Sequence, residues 1–348
     1  MKNPKGSNRP KNHPTLRSLA AEAGVSPMTF SLALRNRSQI SLPTRKRLQK
    51  LAKQRGYQPD PTISKLMQHL RMRAPTRAQA NICGLFITNT TGTAHRHVFA
   101  ERVHTGLKQR AESLGFAYDR LEIPANASST RLQDMVRTRG VEGLVLLPMP
   151  GQCDLTTLLD WKQFSVVSVT CSVIAPRVHT VVPNHYDNMI RACQKLAQSG
   201  FKRIGLAISR DWDERVRHRW AGAIYWQNEC GGTEPVPPFI GVATGPRITD
   251  PHLADWLQAQ RPDVIVVEAI DGELLNRALR SVPARQRPVV ATMDGPDDQA
   301  SRGMDQRPEE IGAVAIETLA GMISRGERGI PQRALNIMVD GEWMSRPR

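Results

Sequence analysis

The stretch TLRSLAAEAGVSPMTFSLALRNRSQISLPTRKRLQKLAKQRGYQPDPTISKL, residues 15–66, decides how the chain is read. Thr15 stands as an N-cap before a helix over 16–23, where Leu16, Leu19, Ala20 and Ala23 recur at i, i+3, i+4 and i+7 and form one apolar face. Gly24 stops that helix. After Val25, Ser26 is a second N-cap, and Pro27 takes the first helical position, where a missing N–H costs nothing. This second helix is expected to reach about residue 36, with Phe30, Ala33 and Leu34 inward. A third is expected from Ser41, with Leu48, Leu51 and Ala52 inward and Arg45, Lys46, Arg47, Lys50 and Lys53 outward. Two short helices meeting across a tight Gly-Val-Ser turn, the second opening on small hydroxyl residues, form a helix-turn-helix, whose second helix enters the DNA major groove.

Charge follows the same division. Residues 1–77 hold 17 Lys and Arg against only Glu22 and Asp60, a net +15. The other 271 residues hold 31 basic and 30 acidic side chains, so a basic module is joined to a neutral body, as expected where the module alone meets a polyanion. No apolar run reaches eighteen residues, and the first fourteen (MKNPKGSNRPKNHP) contain no apolar signal core. The expectation is a bacterial protein of the cytoplasm, associated with the nucleoid and with no membrane partner. The five scattered cysteines, Cys83, Cys153, Cys171, Cys193 and Cys230, contain no C-x-x-C pair and read as reduced thiols.

Residues 15–66 resemble, without a gap, the DNA-binding headpiece of the lactose-repressor (LacI/GalR) family. The marks are T-L…A…A-G-V-S-x-x-T-x-S…N, then I-S…T-R, then G-Y-x-P. The resemblance implies a transcriptional regulator, a repressor first and an activator as the alternative, that binds palindromic operator DNA as a homodimer, needs no cofactor and responds to a small-molecule effector, by the family default a sugar or related metabolite, with a purine-like corepressor as the other precedent. By position, it gives Ser26, Thr29, Ser31, Asn36, Ser41 and Thr44 phosphate-contacting roles, which suit hydroxyls and amides. The family's base readers fall on Pro27, Met28 and Leu32. Apolar side chains at these places can touch thymine methyls but cannot form bidentate hydrogen bonds to guanine or adenine. Asp60 caps and Pro61 opens a short helix bearing Ile63, Leu66, Met67 and Leu70. In the resembling family this hinge helix pairs with its mate and wedges a leucine, here Leu66, into the minor groove. The expected organisation is a basic tail over 1–14, the helix-turn-helix domain over 15–58, a hinge helix and linker over 59–80, and an effector-binding and dimerisation domain over 81–345.

In that last domain, short apolar runs alternate with longer amphipathic segments. The runs are ICGLFIT, VEGLVLLP, SVVSVT, RIGLAIS, VIVVEAI and PVVATM; the segments include 101–114, 155–161 and 188–198. Such alternation implies α/β architecture with parallel sheets in two lobes. Weaker matches to the same family, at 140–148, 199–206, 219–222, 304–306 and Gly312, imply a periplasmic-binding-protein-like fold. Its chain crosses between lobes three times, here near Pro183, within 295–307 and near Arg328. Ligands in such folds sit between the lobes at the carboxyl ends of strands. Arg219 matches a family arginine that binds effector hydroxyls or carboxylate, a task suited to a planar fork of donors. Thr170 stands where several relatives carry a sugar-binding aspartate. Asp294 matches an acidic effector position, His97 and Phe99 lie in the first strand-to-helix loop, and Trp220 could stack on a ring. The rival readings are an α/β enzyme and a solute-binding protein with a basic N-terminal extension. Nucleotide-binding, nucleophile-elbow and zinc-protease motifs are absent, so no catalytic or metal-ligating residue is assigned. The sequence stops just past the strand-like ALNIMVDGEW, without the tail helix that tetramerises the family's namesake, so a dimer is expected.

Overall fold

The computed structural model describes residues 16–34, 36, 39–57, 81–88, 98–124, 127–149, 151–244, 247–248, 250–268, 270–295 and 300–345. Two compact units divide the chain, the first made of Met1–Ala78 with Gly321–Glu327 and the second of Gln79–Ala320 with Arg328–Arg348. The first unit is a bundle of α1 (Leu16–Glu22), α2 (Pro27–Leu34) and α3 (Leu42–Gln54). Leu19, Ala20, Phe30, Ala33, Leu48 and Ala52 form its buried core, with Leu16, Ala23, Leu34 and Leu51 half-buried around them. Each large side chain buried there contributes roughly 1.5–3 kcal/mol, which suits a small domain with little to spare. Gly24, at φ 67°, makes the turn that an L side chain would strain.

Helix α2 stops two residues earlier than its apolar spacing predicts. Asn36 turns left-handed (φ 55°) and its N–H returns to the Ala33 carbonyl, 3.2 Å away. Arg45 is also not outward. It is half-buried and donates from Nη1 to the Asn36 carbonyl (2.9 Å) and to Asn36 Oδ1 (2.8 Å), while Gln49 Nε2 donates to the Ala33 carbonyl at 3.0 Å. These bonds lock the end of α2 onto α3.

Besides two short pairs, β4 (Cys153–Asp154) with β6 (Val173–Ala175) and β10 (Ala243–Thr244) with β11 (Arg247–Ile248), the second unit contains two six-stranded sheets. The first orders its strands as β15 (Asn336–Val339), β7 (His179–Pro183), β5 (Ser165–Val169), β3 (Val141–Leu146), β1 (Asn81–Thr88) and β2 (Ala117–Pro124), with every pairing parallel. The second runs β16 (Glu342–Ser345), β14 (Arg302–Asp305), β13 (Val289–Thr292), β12 (Val264–Glu268), β8 (Ile204–Ser209) and β9 (Phe239–Gly241). It is parallel except where β16 meets β14. The central strands β5, β8 and β12 are buried along their whole length, as strands covered on both faces must be. Helices α4 (Val98–Ser113), α5 (Ser129–Thr138), α6 (His185–Gln198), α7 (Arg210–Arg215), α8 (Arg219–Cys230), α9 (Leu253–Gln260), α10 (Gly272–Arg280) and α11 (Pro308–Arg325) connect these strands.

The chain passes between sheets after β7, after β14 and after β15. The first two crossings lie where the sequence suggests. The third is not near Arg328 but at Asp340 and Gly341, because the apparent final strand is two: residues 336–339 pair with β7 and residues 342–345 with β14. Residues 155–161 do not form the expected helix. Asp154 Oδ1 accepts from the Thr156 N–H at 2.8 Å and Trp161 Nε1 donates to the Thr156 carbonyl at 3.0 Å, a turn that leaves only the 3-10 segment Trp161–Gln163. At the second crossing Arg102 of α4 clamps Asp305 (3.2 and 3.0 Å) and Glu309 (2.6 and 2.7 Å). There Gly106 and Gly312 let α4 and α11 touch backbone to backbone. A Cβ on Gly106 would lie 1.9 Å from the Glu309 carbonyl oxygen.

Candidate functional site

Two separate sets of functional groups stand out, one in each unit. In the first unit, Ser26 caps α2 as its sequence implies: its Oγ accepts the Thr29 N–H at 3.0 Å and lies 2.9 Å from Thr29 Oγ1. Ser41 and Thr44 repeat the pairing at the start of α3, hydroxyl to hydroxyl at 2.8 Å. Both helix starts therefore present backbone N–H groups beside fixed hydroxyls, an arrangement that binds phosphate oxygen well. Pro27 and Met28 are exposed, Met28 at 68 %, while Ser31 and Leu32 are half-buried on the same helix. Asn36 is exposed, but its Oδ1 is taken by Arg45. Leu66 lies outside the described residues.

In the second unit, the carboxyl ends of the strands meet the start of α8. Arg217 and His218 are both left-handed (φ 57°), and His218 Nδ1 to Asp213 Oδ2 at 2.7 Å pins this turn. The turn throws Arg219 across from the second sheet to the first, where its Nη1 meets the buried Cys171 Sγ at 3.8 Å. Beside Cys171, Thr170 is left-handed (φ 66°) and buried. Its Oγ1 lies 3.3 Å from Ser172 Oγ, which in turn accepts the Met149 N–H at 3.0 Å. Asp294, half-buried at the end of β13, accepts from Gln306 Nε2 at 3.4 Å. Trp220 is wholly buried and its indole packs edge-on against His185 at 5.5 Å, within the core of the second sheet's layer. Phe99 is half-buried in the first turn of α4, and His97 lies outside the described residues.

Electrostatically the crevice is unusual. Burial drives the His185 imidazole down to about 3, and the cations of Arg219 and Arg215 push the same way, so the ring is neutral at ordinary pH. Arg215, the last residue of α7, lies within electrostatic reach of Cys171, Cys153 and Asp294, and its Cζ sits 5.0 Å from the Trp212 ring centroid. Across the same crevice Gln152 Nε2 donates to the Glu214 carbonyl at 3.4 Å. The structure thus brings Arg219, Thr170 and Asp294 into one region together with four residues that sequence reading missed: Cys171, His185, Arg215 and Gln306. Arg215 had a visible signal, standing four residues before Arg219, and Gln306 closes the family-like stretch 304–306.

A family model described as "Bacterial regulatory proteins, lacI family" matches residues 15–60. The chain is 25% identical over 194 residues to the HTH-type transcriptional regulator MalR of Streptococcus pneumoniae, covering 55% of each chain, so the match spans about half the relative's length. Its fold matches a solved transcriptional regulator CelR–cellobiose complex (TM-score 0.56, 18% identity, 96% of this chain and 99% of that one). It also matches the lac repressor dimer bound to operator and an anti-inducer (TM-score 0.52, 16% identity, 96% and 98%). Residues 15–60 of this chain thus carry the DNA-binding headpiece of the LacI family of bacterial regulatory proteins, and the two-sheet unit has the fold of these two solved regulators.

Proposed function

We propose that the chain is a repressor of transcription that grips a twofold operator as a homodimer and changes its grip when a sugar-like effector enters the crevice of the second unit. The observation that carries this reading is the start of α2, where the Ser26–Thr29 cap and the exposed Pro27 and Met28 stand on a module of net charge +15. The two kinds of group divide the work. Ser26, Thr29, Ser31, Asn36, Ser41 and Thr44 set the register on phosphate, and Pro27, Met28 and Leu32 meet base edges through apolar contact, which favours thymine methyls. Residues 59–80 act as hinge and linker, with Leu66 as the minor-groove wedge of each half-site. Among the described residues no helix is long and apolar enough to cross a membrane.

The effector reading draws on the convergence of Arg219, Thr170 and Asp294 at the strand ends, and the CelR structure of the same fold was solved with cellobiose. Selection of the full-length chain against random duplexes tests the proposal. It should enrich a palindrome whose half-sites are rich in thymine at the positions that meet Met28 and Leu32. Recovery of sequences without twofold symmetry would overturn it.

A further inference from the structure

Resting on the effector reading above, we infer that the crevice of the second unit takes an acidic ligand, a carboxylate- or phosphate-bearing small molecule, held jointly by Arg215 and Arg219. Seven arginines elsewhere in the unit are neutralised: Arg102, Arg110, Arg120, Arg139, Arg191, Arg203 and Arg307 each meet a carboxylate within 3.0 Å. These pairs lie mostly at the surface, where an unpaired arginine would be harmless. Arg215 and Arg219 are half-buried and face each other's surroundings across Cys171, yet among the described residues neither forms a salt bridge.

The neighbours do not supply that balance. Cys171 is a weak acceptor, His185 is neutral, and Thr170, Ser172 and Gln306 carry no charge. Asp294 is the acid within reach of Arg215, and it also accepts from Gln306, which leaves the crevice with two cations to one anion. Burial accordingly lowers the Arg215 pKa from its usual value, the sign of a cation held in a poor dielectric. Stacking on Trp212 fixes the Arg215 plane, and the pinned turn at Arg217 and His218 fixes Arg219, so two forks of donors are pre-set before any ligand arrives. A neutral sugar would leave one of the two cationic charges unbalanced, and an anion removes that cost.

The test uses the full-length chain and matched probes: glucose, glucuronate, glucose 6-phosphate and inorganic phosphate, followed by calorimetry. At least one anion should bind about tenfold or more tightly than glucose, the gain expected of charge-assisted hydrogen bonds. Arg215→Gln should cut that preference to about threefold or less, and Arg215→Lys should restore part of it. Both variants should retain the wild-type melting transition, and the lysine variant keeps the test valid if the glutamine variant is poorly folded. Equal binding of glucose and the anions, an anion preference indifferent to Arg215, or failure of every anion including phosphate to bind would each overturn the inference. The underlying reading fails separately. An anion that binds through Arg215 yet leaves DNA affinity unchanged would refute an effector role while keeping the anion site, and a neutral ligand that alters DNA affinity would do the reverse.

Discussion

The DNA-facing surface of the first unit and the crevice of the second are built on opposite plans. The surface draws its groups from two short segments, 26–36 and 41–44, and orients their hydroxyls by bonds spanning three residues, Ser26 to Thr29 and Ser41 to Thr44. The crevice draws on residues 170, 171, 185, 215, 219, 294 and 306, gathered from the ends of six different elements, and exists only once both sheets have formed. A locally built site can be rewritten without unfolding its scaffold. A site assembled from distant ends is only as firm as the packing that brings them together.

The sharpest test of that contrast is the α4–α11 crossing. Gly106→Ala drives a Cβ into backbone that cannot yield, and it should destabilise the second unit by about 3 kcal/mol in urea unfolding, with the first unit's transition unchanged. A change under about 0.5 kcal/mol would show that the lobes tolerate separation there. The next effect is acid sensitivity. His185 is protonated in the unfolded chain below about 6.5 but in the folded one only near 3, so stability is present above 6.5 and lost as the pH falls through that window. At pH 5 the second unit should be about 2 kcal/mol less stable than at pH 7, and His185→Gln should flatten the difference. An unaltered pH dependence in the variant would place the acid sensitivity elsewhere.

Smaller effects belong to the first unit. Ser26→Ala removes the α2 cap and should cost about 1 kcal/mol of that unit's thermal stability while weakening DNA binding at every sequence. Met28→Gln, at an exposed position, should alter stability by less than about 0.5 kcal/mol yet shift the selected base at its position toward adenine. If Met28→Gln left the selected sequence unchanged, base reading would have to be assigned elsewhere.

The same contrast governs how much the sequence discloses. The headpiece was legible because its information is contiguous: apolar spacing, a glycine turn and a capped proline within about thirty residues. What escaped there were contacts between helices, such as Arg45 to Asn36, which turn an apparently outward cation inward. The apolar strands of the second unit were also legible, since buried parallel strands read as β-branched runs. Strand β2, AYDRLEIP, escaped because it lies at a sheet edge and carries Asp119, Arg120 and Glu122. The split at Asp340 and Gly341 escaped because two strands separated by two residues look like one. In the crevice Arg219 was found through its resemblance to the family, whereas His185 and Cys171 carry no local signal, because their roles depend on neighbours more than ten residues away.

The grip on DNA proposed for the first unit rests on the capped start of α2, the paired hydroxyls that open α3 and basic charge. It is tested most directly by measuring the full-length chain's affinity for its selected duplex against salt, beside the Ser26→Ala/Thr29→Ala double variant. A steep fall of log affinity with log salt, with a slope of about −6 or steeper for a dimer, and a shallower slope with weaker binding in the variant are expected. Affinity indifferent to salt, or a variant that binds as the wild type does, would contradict the account.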